Sequence, residues 1–194
     1  MISKLSGYLS KKLVQRNYVE NGYEEIYKYT IFYILSHVIF LLITVLSGCL
    51  TNTIFESIIF YVSFQFLRRY VGGYHCENEN RCLIISSILI IGSITMVSIL
   101  KDTQIYTLPI IVIAVISCVF IIYECPIEHP NKPLTEHQRK KIRKFSIFVT
   151  LVMLLAIMVT YIKGLFLLYA PCCISIILVS TLLLVERIKR NLIK

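Results

Sequence analysis

Arg68-Arg69-Tyr70-Val71-Gly72-Gly73-Tyr74-His75-Cys76-Glu77-Asn78-Glu79-Asn80-Arg81-Cys82 is a polar island between two long apolar runs. Reading outward from it decides the fold. The flanking runs are of the length that spans a bilayer as helix, and backbone groups in lipid must be satisfied within the segment. The island is then a loop held at the water boundary by a membrane scaffold. It gathers a possible nucleophile, a possible base and cationic groups within fifteen residues.

The rest of the chain supports this reading. It is 57% hydrophobic and 16% charged over 194 residues. A soluble domain of this length is about half apolar and a quarter charged. Apolar runs fall at about 31–50, 53–68, 83–100, 105–123, 145–162 and 165–185. The second is the weakest span, being short and carrying Glu56 and Gln65. Ionisable groups inside a span tend to face a bundle interior or a cavity. Glu56, near one end, also suits a plain boundary carboxylate.

The basic residues fix an orientation. Lys4, Lys11, Lys12, Arg16 and Lys28 precede span one, and Arg68, Arg69 and Arg81 lie between spans two and three. Lys132, Arg139, Lys140, Lys141, Arg143 and Lys144 lie between spans four and five, and Arg187, Lys189, Arg190 and Lys194 follow span six. The three other connections hold only Lys101 and Lys163. This split of eighteen to two is expected for six spans with both termini in the cytoplasm. It also accounts for the net charge of +9 without a nucleic-acid partner.

Before the first span, Ile2, Leu5, Leu9 and Leu13 recur at helical spacing among lysines, a pattern for an amphipathic helix in the membrane interface. Tyr8, Tyr18, Tyr23, Tyr27 and Tyr29 favour the same boundary, and Asn21-Gly22 should break the helix. The first apolar run begins only near Ile31 with no small-residue cleavage site behind it, so no secretory signal peptide is expected. The expected architecture is all-α: a polytopic membrane protein with six transmembrane helices and one interfacial helix. It forms a single domain over residues 1–194, with segments 1–29, 68–82 and 124–144 at the membrane surface.

The loop over 124–144 divides in two. Pro126, Pro130 and Pro133 prevent a regular helix in its first part. Thr135 and Gln138 then have the spacing of a capping box, opening a basic helix from Arg139 to Lys144 that runs into span five. Those cations suit anionic headgroups and also an acidic peptide.

Seven cysteines show no spacing of a disulfide framework. A cysteine acts as a nucleophile when imidazole, cations or a helix N-terminus favour its thiolate. Cys82 has all three nearby: His75, Arg81 and the start of span three. An unbroken helix would separate His75 and Cys82 by ~10.5 Å, whereas direct contact needs roughly 3 Å. The backbone must therefore fold between them, and Gly72-Gly73 with Glu77-Asn78-Glu79-Asn80 supplies flexible and turn-prone residues. Cys76 is the rival, but side chains at adjacent positions diverge. The plain alternative makes both cysteines small boundary residues and His75 an interfacial histidine. A metal site from His75, Cys76 and Cys82 lacks the usual ligand spacing and an obvious fourth ligand.

Elsewhere the readings are plainer. His37 suits a helix-packing hydrogen-bonder, Cys172-Cys173 after Pro171 suits close helix packing, and Cys49 and Cys118 suit core or lipid-facing thiols. His129 and His137 suit solvated loop positions, and Cys125 ranks well below Cys82 as a nucleophile.

The island resembles the signature of the accessory gene regulator B (AgrB) family, membrane peptidases of peptide quorum sensing and virulence regulation in Gram-positive bacteria. The shared features are the Arg pair, the Gly before Tyr-His and the His-to-Cys spacing of seven, Arg68 to Cys82 here. Residues 126–134, Pro-Ile-Glu-His-Pro-Asn-Lys-Pro-Leu, are similar to the family's second cytoplasmic loop. The family often has alanine after the histidine, where this chain has Cys76. The resemblance implies a cysteine endopeptidase of the bacterial cell membrane with Cys82 as nucleophile and His75 as base, and no cofactor or metal. Arg68 and Gly73 match positions needed for activity, and Arg69 and Gly72 belong to the same motif. The implied substrate is an AgrD-type pro-peptide with an acidic tail, for which Lys132, Arg139, Lys140, Lys141, Arg143 and Lys144 are candidate contacts. The implied reaction leaves a thioester on Cys82, then closes a thiolactone or lactone ring; the implied assembly is a homodimer. A reading of another class is a peptide exporter or membrane scaffold, which would use Glu56, Gln65 and His37.

Overall fold

Seven helices and no strand make up the described part of the chain, which in this computed structural model comprises residues 2–16, 18, 22–72, 79–103, 107–125 and 135–193. The helices are α1 (Ile2–Gln15), α2 (Glu24–Leu50), α3 (Ile54–Val71), α4 (Glu79–Thr103), α5 (Thr107–Glu124), α6 (Glu136–Ile162) and α7 (Phe166–Ile193). The all-α expectation holds. Four helices are long and apolar enough to cross a membrane: α2, α4, α6 and α7. α5 is apolar over Leu108–Glu124 but shorter. α3 carries Glu56, Arg68 and Arg69 within eighteen residues, which keeps it below the same measure.

The chain divides into two compact units. One takes residues 1–43 and 76–90, the other residues 44–75 and 91–194. In the first unit α1 buries Ser6 and Ser10 completely and leaves Leu5 and Tyr8 exposed. Each serine hydroxyl donates back to its own helix, Ser6 to the Ser3 carbonyl and Ser10 to the Gly7 carbonyl. Of the apolar positions expected to share one face, Leu5 is exposed and Ile2, Leu9 and Leu13 are half-buried. The expected break at Asn21-Gly22 falls between α1 and α2, with Asn21 outside the described residues. On α2, His37 Nδ1 lies 2.9 Å from the Tyr33 carbonyl, a local helix bond of the kind expected for it.

The second unit is built around α7, which packs against α3, α5 and α6. Over half of its membrane-length window, 56%, is buried, against 22% for α6. Small residues on α7, among them Ala170, Cys173, Ser175 and Ser180, are buried and let neighbouring backbones approach. Cys172 does what its packing role predicts: its sulfur lies 3.5 Å from the Ser63 hydroxyl of α3. α6 turns into α7 through a Schellman motif, in which the Leu165 N–H donates to the Thr160 carbonyl and the Gly164 N–H to the Tyr161 carbonyl. Gly164 has φ +67°, a left-handed conformation that a side chain disfavours.

One polar closure sits where α3 begins. Glu56 has a side chain only 3% exposed and pairs with Lys101 at 2.7 Å. The same ammonium donates to the Asn52 carbonyl at 3.2 Å. Glu56 is therefore more than a boundary carboxylate, because a buried charge persists only when paired. Outward-facing side chains elsewhere are largely apolar, including Ile34, Val38, Leu41 and Leu46 on α2 and Val152, Leu155 and Val159 on α6. A soluble protein would not leave so much apolar surface uncovered.

Candidate active site

Three parts of the sequence candidate survive into described structure: the end of α3, the start of α4 and the start of α6. Gly73, His75 and Cys76 lie outside the described residues, as does Lys132.

Arg68 and Arg69 occupy the last turn of α3. Arg68 lies over the Phe64 ring at 5.7 Å from its centroid, and Arg69 over the Tyr70 ring at 6.0 Å. Such placement steadies a guanidinium over a ring face. Gly72 caps the helix, with its N–H donating to the Arg68 carbonyl at 3.1 Å. Its φ of 86° and ψ of −156° fall in a region that essentially only glycine adopts. The motif glycine thus has a local physical reason: it ends α3 and redirects the chain into the island.

A second contact at this helix end was invisible in the sequence. A helix leaves its last carbonyls without intrahelical partners. The Ser146 hydroxyl, from α6, donates to the Tyr70 carbonyl at 2.7 Å. Ser146 also hydrogen-bonds the Cys125 thiol, just beyond α5. Cys125 is 3% exposed, and burial pushes its thiol above its ordinary value despite the opposing pull of Arg143 and Ser146. A buried thiol held in its neutral form packs the junction of α3, α5 and α6, which agrees with its low rank as a nucleophile.

Cys82 contrasts with Cys125. It is the fourth residue of α4, in the first turn, and half-buried. It is not in a disulfide, and exposed Arg81 precedes it. A helix N-terminus carries partial positive charge and backbone N–H groups that the helix itself does not satisfy. The helix start and Arg81 are two of the three features the sequence assigned to it; the third, His75, lies outside the described residues.

At the start of α6, Thr135 and Gln138 form the expected capping box. The Gln138 N–H donates to Thr135 Oγ1 at 3.3 Å, and the Thr135 N–H donates to Gln138 Oε1 at 3.2 Å. Arg139, Lys140, Lys141, Arg143 and Lys144 follow in the first turns, all exposed. Lys141 and Lys144 share a face with Phe145 and Phe148, and with Tyr70 of α3 and Ile142 these line a groove of about 540 Å³. Tyr70 and Phe145 bring their ring centroids to 4.5 Å. Only the lysines were legible as candidates. Phe145 and Phe148 carried no signal of their own in the sequence.

The residues of the exporter reading are less available. Glu56 is committed to Lys101, and His37 to its own helix.

The model of the family described as accessory gene regulator B matches residues 2–185. The chain belongs to the accessory gene regulator B family. Two similar proteins come from Clostridium perfringens, and both are named only as AgrB-like. One, from strain SM101, is 29% identical over 152 residues, covering 76% of this chain and 71% of its own. The other, from strain 13, is 26% identical over 189 residues, covering 91% of this chain and 86% of its own. No solved structure matches. Family membership and the long apolar helices make this a membrane-integral protein with a place in agr quorum-sensing peptide processing.

Proposed function

We propose that this AgrB-family protein is a cysteine endopeptidase that cleaves the C-terminal tail from an AgrD-type pro-peptide and lets the remaining fragment cyclise. The observation that carries the reading is Cys82 in the first turn of α4 behind Arg81. That position favours a thiolate and surrounds it with N–H donors for a developing oxyanion. Cys82 attacks the scissile carbonyl, and His75 takes the thiol proton and gives it to the leaving amine. The product is a thioester on Cys82. An internal cysteine or serine of the peptide displaces it, forming a thiolactone or lactone and returning the thiolate. Proximity favours this attack over water, since the nucleophile belongs to the bound chain.

Arg68 and Arg69, steadied on their aromatic rings, supply cationic contacts for the acidic tail. Gly72 ends α3 and turns the chain out of it, and Gly73 is the second glycine of the same motif. The basic start of α6, with Lys132 before it, adds to the same attraction. The reading includes six spans, with α3 and α5 crossing the membrane as well as the four longer helices. It also includes a cytoplasmic active site, cytoplasmic termini, a single functional domain over 1–194 and a homodimer in the bacterial membrane. Without a cofactor, the ring closure draws on the acyl bond already activated as a thioester.

The test is a cleavage assay in lipid with an acidic-tailed precursor, comparing wild type with His75→Ala, Cys76→Ala and Cys82→Ala. Mass spectrometry should find tail release only in wild type and Cys76→Ala, with a precursor fragment bound to wild type as a thioester. Equal behaviour of all four would make the island structural and return the function to an exporter or scaffold.

A further inference from the structure

The groove between α3 and α6 has a chemistry that peptide cleavage does not require. Its lining is mostly apolar: Tyr70, Ile142, Phe145 and Phe148, with Lys141 and Lys144 at one end. The aromatic rings run in series, Phe66 to Tyr70 at 5.3 Å, Tyr70 to Phe145 at 4.5 Å and Phe145 to Phe148 at 6.4 Å between centroids. The Ser146 bond to the Tyr70 carbonyl fixes one wall against the other. The groove is open to its surroundings and has a volume of about 540 Å³.

Beyond the groove, exposed apolar residues continue along the same helix. Along α6, Phe145, Phe148, Val152, Leu155, Val159 and Ile162 are all exposed and recur at three- and four-residue intervals. They form one apolar stripe on one helix face. Lys141 stands one turn before the head of this stripe, and Lys144 immediately precedes Phe145. Two cations above an aromatic cradle above an aliphatic stripe match a molecule with an anionic head and a long hydrocarbon tail. An extended peptide would need polar partners for its backbone, and the lining offers few.

We propose that this groove is a discrete site for an anionic phospholipid, its phosphate held by Lys141 and Lys144, its glycerol region by Tyr70 and Phe145, and an acyl chain along the stripe beyond Phe148. The site shares the last turn of α3 with Arg68 and Gly72. A bound lipid would brace that helix end against α6, next to the island.

The full-length protein, reconstituted in phosphatidylcholine bilayers, is probed with phosphatidylglycerol carrying a photoreactive acyl chain, and with the matching phosphatidylcholine probe. Mass spectrometry maps the labels. The phosphatidylglycerol probe should label the Phe145–Leu155 segment in preference to the phosphatidylcholine probe. Lys141→Gln with Lys144→Gln should lower that preference by about thirtyfold, the worth of two lysines at an anionic surface. Lys11→Gln with Lys12→Gln removes the same charge from α1 and should leave it unchanged. Equal labelling by both probes overturns the site, as does an equal loss with the α1 pair. Exclusion of the phosphatidylglycerol probe by a synthetic acidic peptide that itself crosslinks to Tyr70 or Phe148 makes the groove a peptide site and also overturns the proposal.

Discussion

The two ends of α3 solve opposite problems. At its start, charge is turned inward: Glu56 is buried against Lys101, and Lys101 also holds the Asn52 carbonyl. Around it, Thr51 and Thr53 hydroxyls meet at 2.6 Å and the Ser57 hydroxyl donates to the Thr53 carbonyl. At its other end charge is turned outward. Arg68 and Arg69 lie over rings, Gly72 redirects the chain, and Lys141 and Lys144 stand across a groove. One end closes the fold with its polar groups, and the other carries the cations and the glycine turn of the proposed site. Changes at the first should therefore cost stability, and changes at the second should cost function.

The sharpest way to break this comparison is at the closed end. Lys101→Ala leaves a carboxylate buried without its cation, and we expect a loss of about 3 kcal/mol, the low end for a broken buried pair, because Lys101 itself is 43% exposed. Lys101→Met with Glu56→Leu should recover most of it, since removing both charges also removes the desolvation cost. Thermal unfolding in detergent checks both variants. Equal stability of Lys101→Ala and wild type would remove the distinction between the ends.

Next in size is Gly72→Ala at the open end. Holding alanine at φ 86° and ψ −156° costs about 1–3 kcal/mol. Because the strain sits at a chain exit, the segment should relax locally, so tail release should fall much further than the unfolding temperature. An equal fall in both would place Gly72 with the closing contacts instead. Ser146→Ala is smaller. It removes the partner of the part-buried Tyr70 carbonyl, worth about 1 kcal/mol, and should also loosen the α3–α6 groove, read as faster exchange of the backbone amides of the last turn of α3.

The fold was legible where physics is local. Apolar runs long enough to cross a bilayer gave α2, α4, α6 and α7, and the Thr135–Gln138 capping box opened α6 as its spacing required. It was less legible in α3, where three charges in eighteen residues break the composition of a span while packing on α7 keeps the helix in place. The Glu56–Lys101 pair and the Ser146–Tyr70 bond join residues far apart in sequence, and no local pattern announces such partners. For the site, Cys82 at a helix start could be read from the polar-to-apolar change at Arg81. Gly72 was legible as a motif member, but its physical reason needed the backbone angles. The partnership of His75 with Cys82 depends on how the island folds, and the island's centre lies outside the described residues.

The smallest effect concerns two thiols, Cys125 just beyond α5 and Cys82 in the first turn of α4. Cys125 is buried, and burial raises its pKa above the ordinary thiol value, with Arg143 and Ser146 pulling the other way. A thiol whose folded pKa is raised favours folding while it stays protonated. That contribution is full below the unfolded thiol value and is lost as pH rises through the folded one. At neutral pH Cys125 should therefore alkylate more slowly than half-buried Cys82. Raising the pH past the ordinary thiol range should speed Cys125 less than a solvent-exposed thiol, until the junction itself opens. Timed maleimide labelling with peptide mapping reads both sites in one experiment, and Ser146→Ala should narrow the difference by loosening the junction around Cys125. If Cys125 labels as fast as Cys82 in wild type, the junction is open at neutral pH, and the α3–α6 end is looser than its hydrogen bonds imply.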